Sequence, residues 1–383
     1  MAQILRRVAV SGLGLALATF FAFAETAHAQ GEVTVGGVVE VVGGVSDTGQ
    51  DGLDRGLFSR INVGYTNTLE NGLVISGSIS YQVNQRGSGG TAAVNTDDIN
   101  EMMMTDGSGM MMDDMDIDVT GFESTTNYAP DILSLSVGGG FGTLSFGAHA
   151  PASCAVLPRP IAFVPAGVNF TWYTLFTGFD SMNATFSEAN YCGTSEAISY
   201  ATPSMGGLSA MVTYAPNMAA NQGVSIGNAV DQAGNKPDYV SIAGSFSTDM
   251  GGANFALGAA FQTSDEDMDG NKIDSAAISG TVGLGGASLG FAWFENSGNA
   301  DANDDIDGMS LAAKYSLGAI TPGVVYSVQE NGAGEEETAL VVGASYAIGG
   351  GMSAMVEYIS LDESGGGADD EDTLLMGAIS VAF

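Results

Sequence analysis

The run Asp265-Glu266-Asp267-Met268-Asp269-Gly270 alternates carboxylates and closes on glycine, the spacing with which an EF-hand loop begins to wrap a calcium ion. The twelfth position of that loop is Ala276, so the bidentate closing glutamate is missing and a tight site is not expected. Asp301, Asn303, Asp305 and Asp307 repeat the alternation, and Asp114, Asp116 and Asp118 form a third set. Two readings stay open for all three: weak Ca²⁺ ligation, or plain solvated acidic loops. Met102-Met103-Met104, Met110-Met111-Met112 and Met115 could offer thioethers to Cu(I), although methionine is also an adaptable apolar filler and an interaction loop is the preferred reading.

Those residues sit in a chain of 383 residues with a formal charge of −35, yet only 14% of its residues are charged and 45% are hydrophobic. Disordered acidic chains lack apolar and aromatic residues, whereas this one keeps 18 Phe and 12 Tyr. Nine Lys+Arg leave no basic surface to neutralise phosphates, which excludes nucleic-acid binding. Residues 1–29 read as a cleaved export signal, with Arg6 and Arg7 as the basic region, Val8 to Ala24 as the apolar stretch and Ala27-His28-Ala29 as the cleavage site. Beyond that stretch no segment is apolar enough for a membrane-crossing helix. The domain then spans 30–383. Within it Cys154 and Cys192 are an even pair bound for an oxidising compartment, which favours one disulfide over two thiols. After the signal the only histidine is His149, so no Ser/His/acid constellation exists and the chain reads as no enzyme.

The elements that must position these residues are strands. Segments of about ten residues alternate between apolar and small or polar side chains, the period-2 signature of a two-faced strand. Leu73, Ile75, Ile79, Tyr81 and Val83 oppose Ser76, Ser78, Ser80 and Gln82. Leu57, Ile61, Val63 and Tyr65 oppose Arg60 and Asn62, and Leu289, Phe291 and Trp293 repeat the pattern late in the chain. Sixteen such segments are expected, near 32–42, 56–66, 72–84, 131–138, 142–149, 195–202, 207–215, 238–247, 253–262, 273–282, 287–295, 306–315, 322–329, 338–346, 352–360 and 373–383. Short glycine turns alternate with long acidic connections such as Arg86–Asn127, Pro216–Pro237 and Thr263–Lys272.

Alternation alone does not say which face meets water. A soluble sandwich buries its apolar face, and a membrane barrel turns it to lipid. The polar faces here are nearly free of Lys, and aromatic residues collect at strand ends at Tyr65, Tyr81, Tyr200, Tyr214, Tyr315, Tyr346, Tyr358 and Phe383. Both features favour an all-β transmembrane antiparallel barrel with an interfacial girdle.

Four stretches then carry a resemblance: Gly140-Phe141-Gly142-Thr143-Leu144-Ser145-Phe146-Gly147, Ile198 to Leu208 with the core Tyr200-Ala201-Thr202-Pro203, Val212-Thr213-Tyr214-Ala215, and the terminal Ile379-Ser380-Val381-Ala382-Phe383. The sequence resembles the general diffusion porins of Gram-negative outer membranes, of the sixteen-stranded trimeric type found in α-proteobacteria. The resemblance implies short periplasmic turns, long extracellular loops, and a third loop folded into the lumen. Here that loop is about 150–194, rich in rings at Phe163, Phe170, Trp172, Tyr173, Phe176, Phe179 and Phe186.

It further implies a homotrimer in the outer membrane, in contact with lipid and lipopolysaccharide, that passes small hydrophilic solutes and needs no cofactor. Ca²⁺ at the acidic loops would bridge loops or neighbouring lipopolysaccharide. Wall cations would be Arg60 and Lys314, with the loop residues Arg55 and Arg86, set against the inward-loop acids Asp180 and Glu188, and His149 would line the lumen. The acidity implies cation selectivity. A substrate-specific channel for sugar, phosphate or peptide is the alternative, followed by a non-channel adhesin or structural surface antigen.

Overall fold

The computed structural model describes residues 31–46, 54–87, 124–125, 132–165, 194–218, 236–267, 269–298, 305–364 and 370–383. Sixteen long strands account for most of them: β1 (Glu32–Ser46), β2 (Asp54–Thr68), β3 (Val74–Gly87), β4 (Ile132–Gly139), β5 (Gly142–His149), β6 (Ser195–Ala201), β7 (Leu208–Met218), β8 (Lys236–Met250), β9 (Ala253–Thr263), β10 (Asp274–Leu284), β11 (Ala287–Ser297), β12 (Ile306–Tyr315), β13 (Ile320–Asn331), β14 (Glu336–Gly349), β15 (Met352–Ser364) and β16 (Asp370–Ala382). Ser124–Thr125 adds a two-residue ladder to Asn84 and Gln85 of β3. Each long strand pairs antiparallel with its chain neighbours, and β1 closes on β16 from Val38↔Ala382 to Ser46↔Leu374. Closure leaves no sheet edge, the condition for a sheet to survive in lipid.

All sixteen expected segments are strands, several of them longer than the alternation suggested. β7 continues to Met218 and β8 starts at Lys236, although prolines at 216 and 237 argue against strand there. Arg55 and Arg86, expected in loops, lie instead in β2 and β3, whose backbones pair as Arg55↔Gly87 and Gly56↔Arg86. The reason is that the strands run past the alternating apolar band, and hydrogen-bonded backbone continues where side chains have turned polar.

Seven short turns share one end of the barrel with both ends of the barrel wall. There the Phe383 amide donates to the Gly37 carbonyl at 3.1 Å and the Gly37 amide to the Phe383 carbonyl at 2.9 Å. The β8–β9 turn is Gly251-Gly252 with φ of 62° and 88°, the left-handed pair a two-residue hairpin demands. The exposed face resolves the barrel-or-sandwich choice. Leu289 and Leu311 are each 57% exposed and alternate with buried Ala292 and Ala312, so the apolar residues point outward and the small or polar ones inward.

Candidate functional site: the lumen and its inward strap

After β5 the chain turns into the barrel as a strap, residues 150–165, made of helix α1 (Ala152–Val156) and a 3-10 turn (Pro160–Phe163). It crosses the inner wall strand by strand. In α1 the Ser153 amide donates to Ser241 Oγ of β8 at 3.0 Å, and Gln262 Nε2 of β9 donates to Ser153 Oγ. Ser241 Oγ also donates to Ser153 Oγ at 3.2 Å. Next, Ser279 Oγ of β10 donates to the Pro158 carbonyl at 2.7 Å. The strap then lies over glycines. A Cβ at Gly258 of β9 would come 2.8 Å from Pro158, at Gly290 of β11 2.7 Å from Pro160, and at Gly343 of β14 2.6 Å from Pro165. At Gly323 of β13 it would overlap the Phe163 carbonyl oxygen. Only residues without a side chain let the proline rings, and at Gly323 the backbone, of the strap approach the wall this closely.

The inner wall is therefore of two kinds. From β3 to β8 it carries hydroxyls that bond across strands: Ser78 with Ser134 at 3.3 Å, Ser136 with Ser145 at 2.9 Å, and Ser209 with Ser245 at 3.0 Å. His149 Nε2 shares a 2.6 Å bond with Ser199 Oγ, which meets Thr213 Oγ1 at 2.7 Å. From β12 to β16 apolar residues join the polar ones on the inner face, with Val325, Val341, Ile359, Leu361, Leu374 and Met376 buried in one cluster with Ile161, Phe163 and Val164 of the strap, beside the buried polar Ser310, Ser327 and Gln329. Alternation by itself places polar residues toward the lumen. The departure has a physical reason, since a strap must bury apolar surface against something to stay on the wall.

The wall charges fall around this strap. Lys314 of β12 places Nζ 4.5 Å from the centroid of the Phe163 ring, a cation–π contact inside the lumen. One cross-strand row runs Lys314↔Gly323↔Gly343↔Glu357, so the two strap-bearing glycines are flanked by a cation and an acid. Glu357 is 2% exposed. Arg60 of β2 faces inward with its guanidinium carbon 5.5 Å over the Phe58 ring, and lies two register positions from the buried Glu40 of β1, which pairs with Phe58. Glu40, Glu357 and the half-buried strap residue Arg159 were missed in reading the sequence. The parity of Glu357 with Met355 and Ile359 would have placed it inside, and Arg159 stands between two prolines of the inward segment.

Asp180 and Glu188 lie outside the described residues, as do 166–193 generally, Asp301, Asn303, Asp114, Asp116, Asp118 and the methionine segment 102–115. Cys154 is disulfide-bonded; the chain's other cysteine, Cys192, is outside the described residues. Asp265 and Asp269 flank an Asp267 whose carboxylate is already engaged. Lys236 Nζ donates to Oδ2 at 2.5 Å, and the Asp269 and Asn271 amides each donate to Oδ1 at 2.9 Å. Burial pushes this carboxyl up, but the Lys236 bond and the two amides together outweigh it and hold Asp267 below the usual carboxylate range. Among the described residues no three His, Cys, Asp or Glu side chains converge on a metal position, and Asp305 and Asp307 are no exception.

A closed sixteen-stranded barrel with an apolar exterior and a loop laid across its lumen defines a channel of the outer membrane and not an enzyme. The family model of the Gram-negative porins matches residues 14–366, and the chain belongs to that family. Solved structures agree in fold: the anion-selective porin of Comamonas acidovorans (TM-score 0.60, 16% identity, 92% of this chain and 100% of that one) and OmpT of Vibrio cholerae in its trimer form (0.56, 14%, 92% and 99%). A mutant of the Rh. blastica porin aligns similarly (0.55, 16%, 92% and 100%). No curated protein matches the sequence.

Proposed function

We propose that this porin is a diffusion channel for small hydrophilic solutes that favours cations, and that it works as a homotrimer. The observation that supports a diffusion pore is the strap, which occupies one side of the lumen while the opposite wall, β3–β5, keeps a facing of half-exposed hydroxyls at Ser76, Ser136 and Ser145. Cation preference rests on charge. A wall with few cations below an acidic mouth raises the local cation concentration, an effect that salt weakens. The Comamonas relative is named as anion-selective, so the sign has to be measured on this chain. Reversal potentials of single channels in a KCl gradient do this, and an anion-selective potential would reject the preference.

The exterior supports the trimer. Outward aromatic residues are found on β3 and from β5 to β15, including Tyr81, Phe146, Phe246, Phe291, Tyr326 and Tyr358. By contrast β1 presents Val33, Val35, Val39, Val41 and Val45 to the outside, without a ring. Interfacial rings suit headgroups, and a smooth valine face suits a second copy. Cross-linking in detergent that yields monomer alone would count against the trimer.

A further inference from the structure

Beyond the path of the strap over β8 to β14, the inner wall of β1–β5 is hollowed into two cavities. One, of about 290 Å³, is lined from the inward faces of β1 to β3 by Thr34, Asn62, Ser78 and Ser80, with Gly36 and Gly64 between them. At Gly64 a Cβ would come 2.7 Å from Thr34 Oγ1, so the missing side chain helps to leave this hollow open. The second, of about 460 Å³, is lined at the turn end of β3–β5 by Val74, Ser76, Ser136 and Thr143, with glycines of two turns. Ser76 and Ser78 stand two residues apart on one face of β3, about 7 Å, so the second cavity follows the first along the wall.

The lining is made of hydroxyl and amide groups over a small apolar floor. Among the described residues no Lys, Arg, Asp or Glu lines either cavity, although Glu32 and Arg60 share the inward faces of β1 and β2. Thr66, Ser76, Ser136 and Ser145 form one cross-strand row. In it Thr66 Oγ1 donates to Ser76 Oγ at 3.5 Å and Ser136 meets Ser145 at 2.9 Å. Each hydroxyl pair spends one of its two protons, so a donor and open lone pairs remain for a solute. Ser80 goes further. It is 2% exposed and lines the first cavity, yet its Oγ meets no hydrogen-bond partner among the described residues. A buried hydroxyl left so is costly, and a ligand hydroxyl would recover that cost. Cavities of about 300–1,000 Å³ with a few placed polar groups hold small molecules. An ion would find no counter-charge in this lining, whereas a polyol matches its mixed donors and acceptors.

We propose that the β1–β5 wall is a binding site for uncharged polyols of mono- to disaccharide size, held by Asn62, Ser78 and Ser80 in one cavity and by Ser76 and Ser136 in the next. This rests on the channel reading above and names a solute class for it. The test is the KCl current of single insertions of the full mature chain as maltose is added to both chambers. Polyethylene glycol of matched hydrodynamic size serves as comparison, since it offers ether acceptors but donors only at its ends. The expected result is a current that falls along a saturating curve with maltose and without saturation with polyethylene glycol. Ser80→Ala and Ser136→Ala should each raise the half-saturating maltose concentration about three- to tenfold. Ser209→Ala, on β7, should not. Heat-modifiable gel mobility confirms that each variant is folded, and each curve is scaled to that variant's own sugar-free current. The two serines lie in different cavities, so either variant alone can be read. A maltose curve that does not saturate, equal saturation by polyethylene glycol, or half-saturation unchanged in both serine variants overturns the proposal. Saturation by inorganic phosphate that depends on the same serines overturns the assignment to polyols. All of these leave the channel reading intact, whereas insertions without any conductance overturn the channel reading itself.

Discussion

Lys314 Nζ lies 4.5 Å from the centroid of the Phe163 ring, which ties the one strand of the β11–β13 wall that carries an inward lysine to the aromatic residue where the strap turns. A contact of this kind is worth about 0.5–2 kcal/mol depending on desolvation. Phe163→Leu keeps most of the apolar contact with Val325 and Val341 and removes the ring. The amine should then react faster with a water-soluble acetylating reagent, read by mass spectrometry of the folded barrel. An unchanged rate would mean that the ring does not hold the lysine.

Gly323 and Gly343 sit in the same cross-strand row between Lys314 and Glu357. Gly323→Ala puts a methyl into the Phe163 carbonyl, so the strap must lift or the wall must shift, at a cost of about 1–3 kcal/mol. The barrel ladder needs no change. The expected outcome is a folded, heat-modifiable protein with a larger and noisier single-channel conductance, and a conductance equal to the parent would place the strap elsewhere.

Ser153 is where the strap first grips the wall. Its hydroxyl accepts from Gln262 Nε2 and Ser241 Oγ, and all three residues are buried. Ser153→Ala leaves the Gln262 amide without that acceptor, which costs about 1–3 kcal/mol. Hydrogen exchange should speed up at the α1 amides and not in β9, since the barrel ladder is independent of the strap. Equal protection in the variant would refute this.

The β9–β10 connection should depend on pH through Asp267. Its carboxyl in the folded chain titrates below the ordinary value, so the charged form contributes stability at neutral pH, above the ordinary carboxylate pKa of about 4. That contribution is lost as pH falls through the lower folded value. Protection of the Asp269 and Asn271 amides, both held by Asp267 Oδ1, should therefore persist to about pH 4 and collapse below it. Asp267→Asn should show weak protection at every pH, which isolates the ion pair with Lys236 from general acid loosening.

Much of the barrel was legible because side-chain parity is local. Leu289, Phe291 and Trp293 alternate with Gly290, Ala292 and Phe294, and that is enough to make β11 a strand wherever it lies. Boundaries were less legible. Arg55 and Arg86 look like loop residues because their neighbours are polar, yet the backbone ladder extends through them. The site was the least legible part. Gly258, Gly290, Gly323 and Gly343 read as ordinary small residues of four separate strands, and the apolar parity of Val325, Val341 and Ile359 reads as noise on a polar face.

The sequence by itself determined that this chain is a membrane barrel, since every strand needs only its own alternation to declare two faces and the acids gather in the connections between strands. It also singled out Arg60 and Lys314 from the scarcity of cations. Only the tertiary structure decided which glycines face one another, that they form a slot from β9 to β14, and that Phe163 fills it beside Lys314. Those relations depend on register and closure across strands far apart in the chain, and no local period encodes them.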